Sequence, residues 1–310
     1  MNRLATLTLI GAVFLSACRR AGDLPPEEVL RRATQVSGQL QSARVDADLD
    51  AVVSMSGSTL SGTATAQGVL TNAGDQAEFL VHAQGILDGS TPLTTDPLTT
   101  GARHLTFRFS ADVVRDAEES YLRLREASVD PPAALPQGWD ALTGIWWTLP
   151  RSDDGHPSVR SLTPDPRFLR AQSAVVTVVD DLGLEDIGGR DAYHYRVSID
   201  PDRLIGLMQG VAEERGQPFS VEETRRTLER YDARGELWID ADTFVVDRIA
   251  WIVSSRESPP ATRIAFRVGL TEHDSALTVT VPTEATPLDS AFIPTMMNAT
   301  LITAPGALLQ

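Results

Sequence analysis

The sequence predicts an α+β fold: one large antiparallel β-sheet, wet on one face and apolar on the other, with helices covering the apolar face. Two patterns predict it. Long segments alternate polar and apolar residues with period two, as strands buried on one side do. That alternation argues for antiparallel pairing, because all-parallel strands are buried on both faces and read as unbroken apolar runs. The other periodic segments are amphipathic at helical spacing, so their apolar stripes need a sheet to cover.

Taken in order, the chain opens with Met1-Asn2-Arg3 and then an uncharged apolar run, LATLTLIGAVFL. A short positive n-region before an apolar h-region is the layout of a secretory signal. The run is about a dozen residues, against the roughly 20 that a helix needs to span a bilayer. Leu15-Ser16-Ala17-Cys18 follows, and these four residues resemble the lipobox of bacterial lipoproteins. The resemblance implies cleavage after residue 17 and a covalent diacylglyceryl anchor on Cys18, the one cysteine of the chain. A lone cysteine forms no internal disulfide, so the exported part must rely on its core. The mature protein is expected to be exported and lipid-anchored on the envelope, either on the outer face of the cytoplasmic membrane or on the periplasmic face of the outer membrane, with no transmembrane helix.

Residues 18–25 read as a lipidated cysteine and polar tether, and 26–310 as one domain. Pro25-Pro26 opens a helix to about Leu40, with Val29, Ala33, Val36 and Leu40 on one stripe. Strands are expected at 44–55, 59–71, 76–86, 104–113, 119–126, 174–182, 192–200, 236–240, 244–254, 263–271 and 277–281. In 44–55 the inward set is Val45, Ala47, Leu49, Ala51, Val53 and Met55, with Arg44, Asp46, Asp48 and Asp50 facing water. Ala241-Asp242-Thr243 reads as the turn of a tight hairpin. A helical insertion is expected over 201–231. Asp200-Pro201 starts its first helix, and Ser220 with Glu223 forms a capping box for a second, running to about Tyr231. Residues 88–102 and 128–166, rich in Pro, Gly, Thr and Asp, read as loops, the second carrying Trp139, Trp146 and Trp147.

Composition excludes several functions. The formal net charge is −15 and every basic residue is arginine. A chain this acidic has no electrostatic footprint for nucleic acid or for anionic lipid surfaces. No HExxH, GxSxG or phosphate loop is present, and His82, His104, His156, His194 and His273 are scattered. No cofactor, metal site or catalytic residue is therefore expected. Asp46, Asp48 and Asp50 suggest a metal cluster, but on a strand they are one solvated face, whereas calcium sites draw on turns and carbonyls. Asn298-Ala299-Thr300 matches a glycosylation sequon.

The small residues of 59–71 are the most informative oddity. Gly62, Ala64, Ala66 and Gly68 alternate with polar residues, so one face of that strand has almost no bulk. Either a helix packs closely there or the space is a ligand cavity. The expected cavity is lined by Gly62, Ala64, Ala66, Phe107, Phe109, Trp146, Tyr193, Tyr195, Leu204, Leu207 and Met208, and closed by the helix at 201–213. Phe107, Phe109, Tyr193, Tyr195, Ile264 and Phe266 are expected on one helix-covered face, because a one-residue slip would turn these residues into water.

Several stretches carry a wider resemblance: Tyr121-Leu122-Arg123-Leu124, then 144–150 (GIWWTLP), then Ile187-Gly188-Gly189-Arg190-Asp191-Ala192-Tyr193-His194-Tyr195, and the closing Val279-Thr280-Val281-Pro282. Together with the order of elements, they resemble the half-barrel lipoprotein-carrier superfamily. That superfamily includes the periplasmic carrier and outer-membrane acceptor of lipoprotein sorting and the mycobacterial lipoglycan-carrier lipoproteins. The resemblance implies a sheet curved into a half-barrel whose concave apolar face binds acyl chains or a lipid-modified partner beneath helices acting as a lid. A second reading from the same fold is a non-enzymatic envelope-sensing or protein-interaction module with a filled core.

Overall fold

The computed structural model describes residues 24–55, 58–89, 103–117, 119–132, 142–149, 174–214, 216, 218–257 and 261–288. Leu15, Ser16, Ala17 and Cys18 lie outside the described residues, as do Trp139, His156 and the triplet at 298–300.

Helix α1 (Pro26–Ser37) starts where Pro26 pre-sets φ, with Glu27 and Glu28 at the positive end of the helix dipole. Arg31 and Arg32 both grip Glu28, at 2.8 and 2.7 Å. The helix stops short of the expected end, at Gly38, although Leu40 beyond it is buried. Val29 and Ala33 are fully buried on its inner stripe.

The meander that follows comprises β1 (Ala43–Met55), β2 (Ser58–Thr71), β3 (Gln76–Gly89), β4 (Arg103–Asp116), β5 (Glu119–Asp130) and the short β6 (Trp146–Thr148). A second meander comprises β7 (Val176–Ile187), β8 (Arg190–Ile199), β9 (Tyr231–Asp240), β10 (Val246–Ser255) and β11 (Thr262–Thr271), and two-residue β12 (Thr286–Pro287) comes last. Between β8 and β9 stand α2 (Pro201–Glu214) and α3 (Val221–Leu228). All twelve strands join one open sheet, ordered β12-β6-β5-β4-β3-β2-β1-β11-β10-β9-β8-β7. It is not closed into a barrel, and with its helices it has the expected half-barrel architecture. The two meanders meet where β11 lies antiparallel to β1.

The outer face is polar at this seam. Asp48 and Asp50 of β1 pair with Arg267 and Arg263 of β11, both at 2.8 Å, and Asp46 accepts the Gln67 amide at 2.8 Å. The three aspartates are thus rungs of a cross-strand charge ladder. The inner face carries the core: Val45, Leu70, Phe79, Tyr193, Tyr195, Leu237, Ile239, Ile249, Trp251, Val268 and Leu270 pack with Val29, Leu30 and Ala33 of α1. Each large side chain so buried contributes roughly 1.5–3 kcal/mol.

Edge strand β7 is irregular. Its register slips between Val178 and Asp180 and again between Asp181 and Gly183, and Asp180 pairs with Arg196 of β8. Val179, Leu182 and Leu184 are exposed along it.

Three expectations are corrected. Residues 277–281 form no strand: Leu277, Val279 and Val281 are half-buried between exposed threonines, but the Thr280 amide donates to the Glu78 side chain at 3.0 Å. Their alternation records a one-sided contact along a connecting segment, which then delivers β12 to β6. That pair is parallel, so the sheet is not wholly antiparallel. The second inserted helix ends at Leu228, and Tyr231 opens β9, because the strand must reach back to pair with Ser255.

Candidate functional site

Cross-strand register sorts the inner face into rows. Tyr195, Leu237, Ile249, Val268, Ala47, Ala66 and Val81 align across β8, β9, β10, β11, β1, β2 and β3. The next row toward the β1–β2 turn runs Trp251, Phe266, Leu49, Ala64, Ala83 and Phe109. The one beyond runs Val253, Ile264, Ala51, Gly62, Gly85 and Phe107. Phe107, Phe109, Tyr193, Tyr195, Ile264 and Phe266 therefore do share the inner face.

They do not share one environment. Tyr193 and Tyr195 are closed in the core, stacked with ring centroids 6.2 Å apart, and burial pushes the Tyr195 hydroxyl pKa up. Among the described residues nothing pairs with that hydroxyl. The far rows are less covered. Leu49 is 39% exposed, and Ala51, Ala64, Phe107, Phe109, Ile264 and Phe266 are only half-buried. The inner face thus has a closed zone beneath α1 and an open apolar zone toward the β1–β2 turn.

Several of the expected lining residues need correcting. Trp146 is not on this face: it pairs with Arg123 on the outer side, where that guanidinium lies 4.6 Å from its ring centroid. Its neighbour Trp147 pairs with Leu122 on the inner side, and its Nε1 donates to the Leu142 carbonyl at 3.0 Å. The spaces over two of the β2 glycines are already occupied. A Cβ on Gly68 would stand 1.9 Å from the Glu78 carbonyl oxygen and 2.7 Å from the Phe79 ring, and one on Gly62 2.6 Å from the Gln84 carbonyl oxygen. Neighbouring strands crowd the inner side here, so these glycines answer to close approach rather than to an empty cavity. Ala64 and Ala66 keep their places on the half-buried face.

Nor is α2 the helix that packs on the inner core, a position taken by α1. Asp200 caps α2 by accepting from the Asp202 and Arg203 amides at 3.0 and 3.1 Å. Arg203 reaches the Val176 carbonyl of β7 at 3.3 Å, and Asp202 binds Arg225 of α3 at 2.7 Å. These bonds hold the helix pair at the β7 end. Ile205 is buried, Leu204 and Met208 are half-buried, and Leu207 and Val211 are exposed.

A charge cluster built on two buried carboxylates escaped the sequence reading. Arg190 bridges Asp240 at 2.7 Å and Asp247 at 3.1 Å, and His273 Nε2 lies 3.7 Å from Asp247. For Asp240, burial raises the carboxyl pKa, but hydrogen bonds from Thr243 and Asp242 win and hold it below the usual carboxylate range. Burial pushes Asp247 up and His273 down. The signal was a break in pattern: Asp247 follows Val245-Val246 where alternation fails, and it sits at a register shift of β10.

These features define an open-sheet protein with a helix-capped apolar face, half closed and half open. Among the described residues no helix is long and apolar enough to cross a membrane. No protein-family model matches the chain, and no curated protein does. Solved structures are similar in chain course. LprF from Mycobacterium bovis aligns with a TM-score of 0.38 and 13% identity, over 83% of this chain and 97% of that one. The Mycobacterium tuberculosis lipoprotein LppX aligns at 0.36 and 10%, over 82% and 97%. A LolA-superfamily protein from Nitrosomonas europaea aligns at 0.24 and 6%, over 84% and 96%. At these values the likeness carries no correspondence between residues.

Proposed function

We propose that this chain is a lipid-anchored envelope protein that binds an acyl chain, free or on a lipid-modified partner, against the open zone of its inner face. The observation that carries the reading is the contrast between the zones. A filled core under α1 supplies the stability, while the rows through Leu49, Ala64, Phe109 and Phe266 leave apolar surface uncovered among the described residues. Apolar concavities of this kind are the default ligand site of a fold. The chemistry is binding without catalysis. Transport of lipid or lipoprotein across the envelope is the process that such binding would serve.

Ala64→Trp tests it. An indole at the centre of the open zone is expected to abolish binding of a fluorescent fatty-acid probe while leaving the thermal melt nearly unchanged. A second reading, an envelope interaction module, draws on the filled core around Tyr195. It predicts no probe binding to the parent protein and a destabilised Ala64→Trp, overpacked by about 1–3 kcal/mol.

A further inference from the structure

Glycine inside a strand costs stability and marks a bulge, a close backbone approach or an approaching ligand. Gly62, Gly68, Gly85 and Gly235 each have such a reason, since a Cβ on any of them would come within 2.7 Å of a neighbouring strand or ring. Gly269 of β11 has none. Its φ is not left-handed, and a Cβ there would meet only the Asp46 carbonyl oxygen, at an ordinary 3.8 Å.

The missing side chain floors a groove of about 590 Å³ on the outer face, lined by Arg44, Asp46, Gln67, Arg248, Arg267 and Thr271. In a chain of net charge −15, three arginines line this one groove. Arg44 holds Glu272 and Arg267 holds Asp48, each through Nε and Nη2, so among the described residues both keep Nη1 donors in reserve. Arg248 lies 5.4 Å from the Trp238 ring centroid and, among the described residues, makes no ion pair. The one carboxylate in the lining, Asp46, is engaged by Gln67 at 2.8 Å.

Three arginines along one groove, each with a guanidinium donor left over, suit a group with several anionic oxygens. We propose that the groove over Gly269 binds a phosphate group through Arg44, Arg248 and Arg267. It lies on the opposite face from the acyl-chain zone and stands independently of that reading.

The test is calorimetric titration of the full chain in detergent with inorganic phosphate and, separately, with glycerophosphoglycerol, the water-soluble headgroup of an anionic phospholipid. Saturable binding is expected, weakened about tenfold or more by Arg248→Ala, the loss of one charge-assisted hydrogen-bonding partner, and blocked by Gly269→Leu, which fills the floor. Both positions are half-buried on the polar outer face, away from the inner core, and the substitutions are expected to leave the ligand-free melting temperature nearly in place. Gly269→Ala, with a Cβ in ordinary contact, serves if the leucine disturbs the strand. Tighter binding of the headgroup supports the proposal with a lipid as the source, and equal or tighter binding of inorganic phosphate supports it with a soluble one. Absence of binding by the parent, or binding that Arg248→Ala and the glycine substitutions leave unchanged, overturns it.

Discussion

His273 and Asp247 face each other in the interior, and burial displaces their proton affinities in opposite directions. For His273 the folded pKa lies below the ordinary 6.5, so as pH falls through 6.5 the unfolded chain takes up a proton that the folded one refuses. Its contribution to stability is thus present above pH 6.5 and declines toward the depressed folded value. Asp247 acts with the opposite sign, because its folded pKa is raised above 3.8. Stability recovers as pH drops through that raised value toward 3.8. Arg190, Asp240 and Asp274 also act on the histidine. We expect His273→Gln to flatten the loss of stability just below pH 6.5, read as the urea midpoint against pH. Parallel curves for parent and variant would show that the histidine is not the source.

At the scale of elements, the cap on α3 is the cleanest local prediction. The Ser220 hydroxyl accepts from the Glu223 amide at 3.3 Å, and no α3 residue is buried, so little tertiary packing compensates for its loss. Ser220→Ala is expected to cost about 1 kcal/mol, seen as faster hydrogen exchange confined to α3; uniform exchange across the sheet would contradict it. That cap was legible because Ser-x-x-Glu encodes it locally. The strands were legible for a similar reason: Val45, Ala47 and Leu49 against Asp46, Asp48 and Asp50 state which side is wet. Cross-strand placement is not local. Trp146 and Trp147 differ only in which faces the inner side, and β5 decides this by pairing Trp147 with Leu122. Residues 277–281 misled because one-sided contact produces the same alternation as a ladder. The small set on β2 was read correctly as unusual, but its cause, the closeness of β3 and the Phe79 ring, is visible only once the strands are side by side.

For the whole molecule, the inner face divides its labour: the zone under α1 is closed around Tyr195, while the rows through Leu49 stay partly uncovered. The proposed anchor is independent of both. Cys18→Ser is expected to move the protein from the detergent-requiring membrane fraction to the soluble envelope fraction, because no other residue of the chain carries a thiol. Retention of the substituted, signal-cleaved protein in membranes would refute lipid anchoring.

An open sheet, unlike a barrel, leaves an edge where a second copy could add a strand. The outer edge here is β7, with exposed Val179, Leu182 and Leu184, which is an invitation to polymerise. Its two slips in register, with Asp180 and Asp181 between them and Glu185 and Asp186 beyond, deny an incoming strand any long run of evenly spaced partners. Molecules confined by an anchor to the plane of a membrane meet one another far more often than the same number free in solution. For a chain anchored as proposed, an edge this irregular would work against crowding turning into fibres.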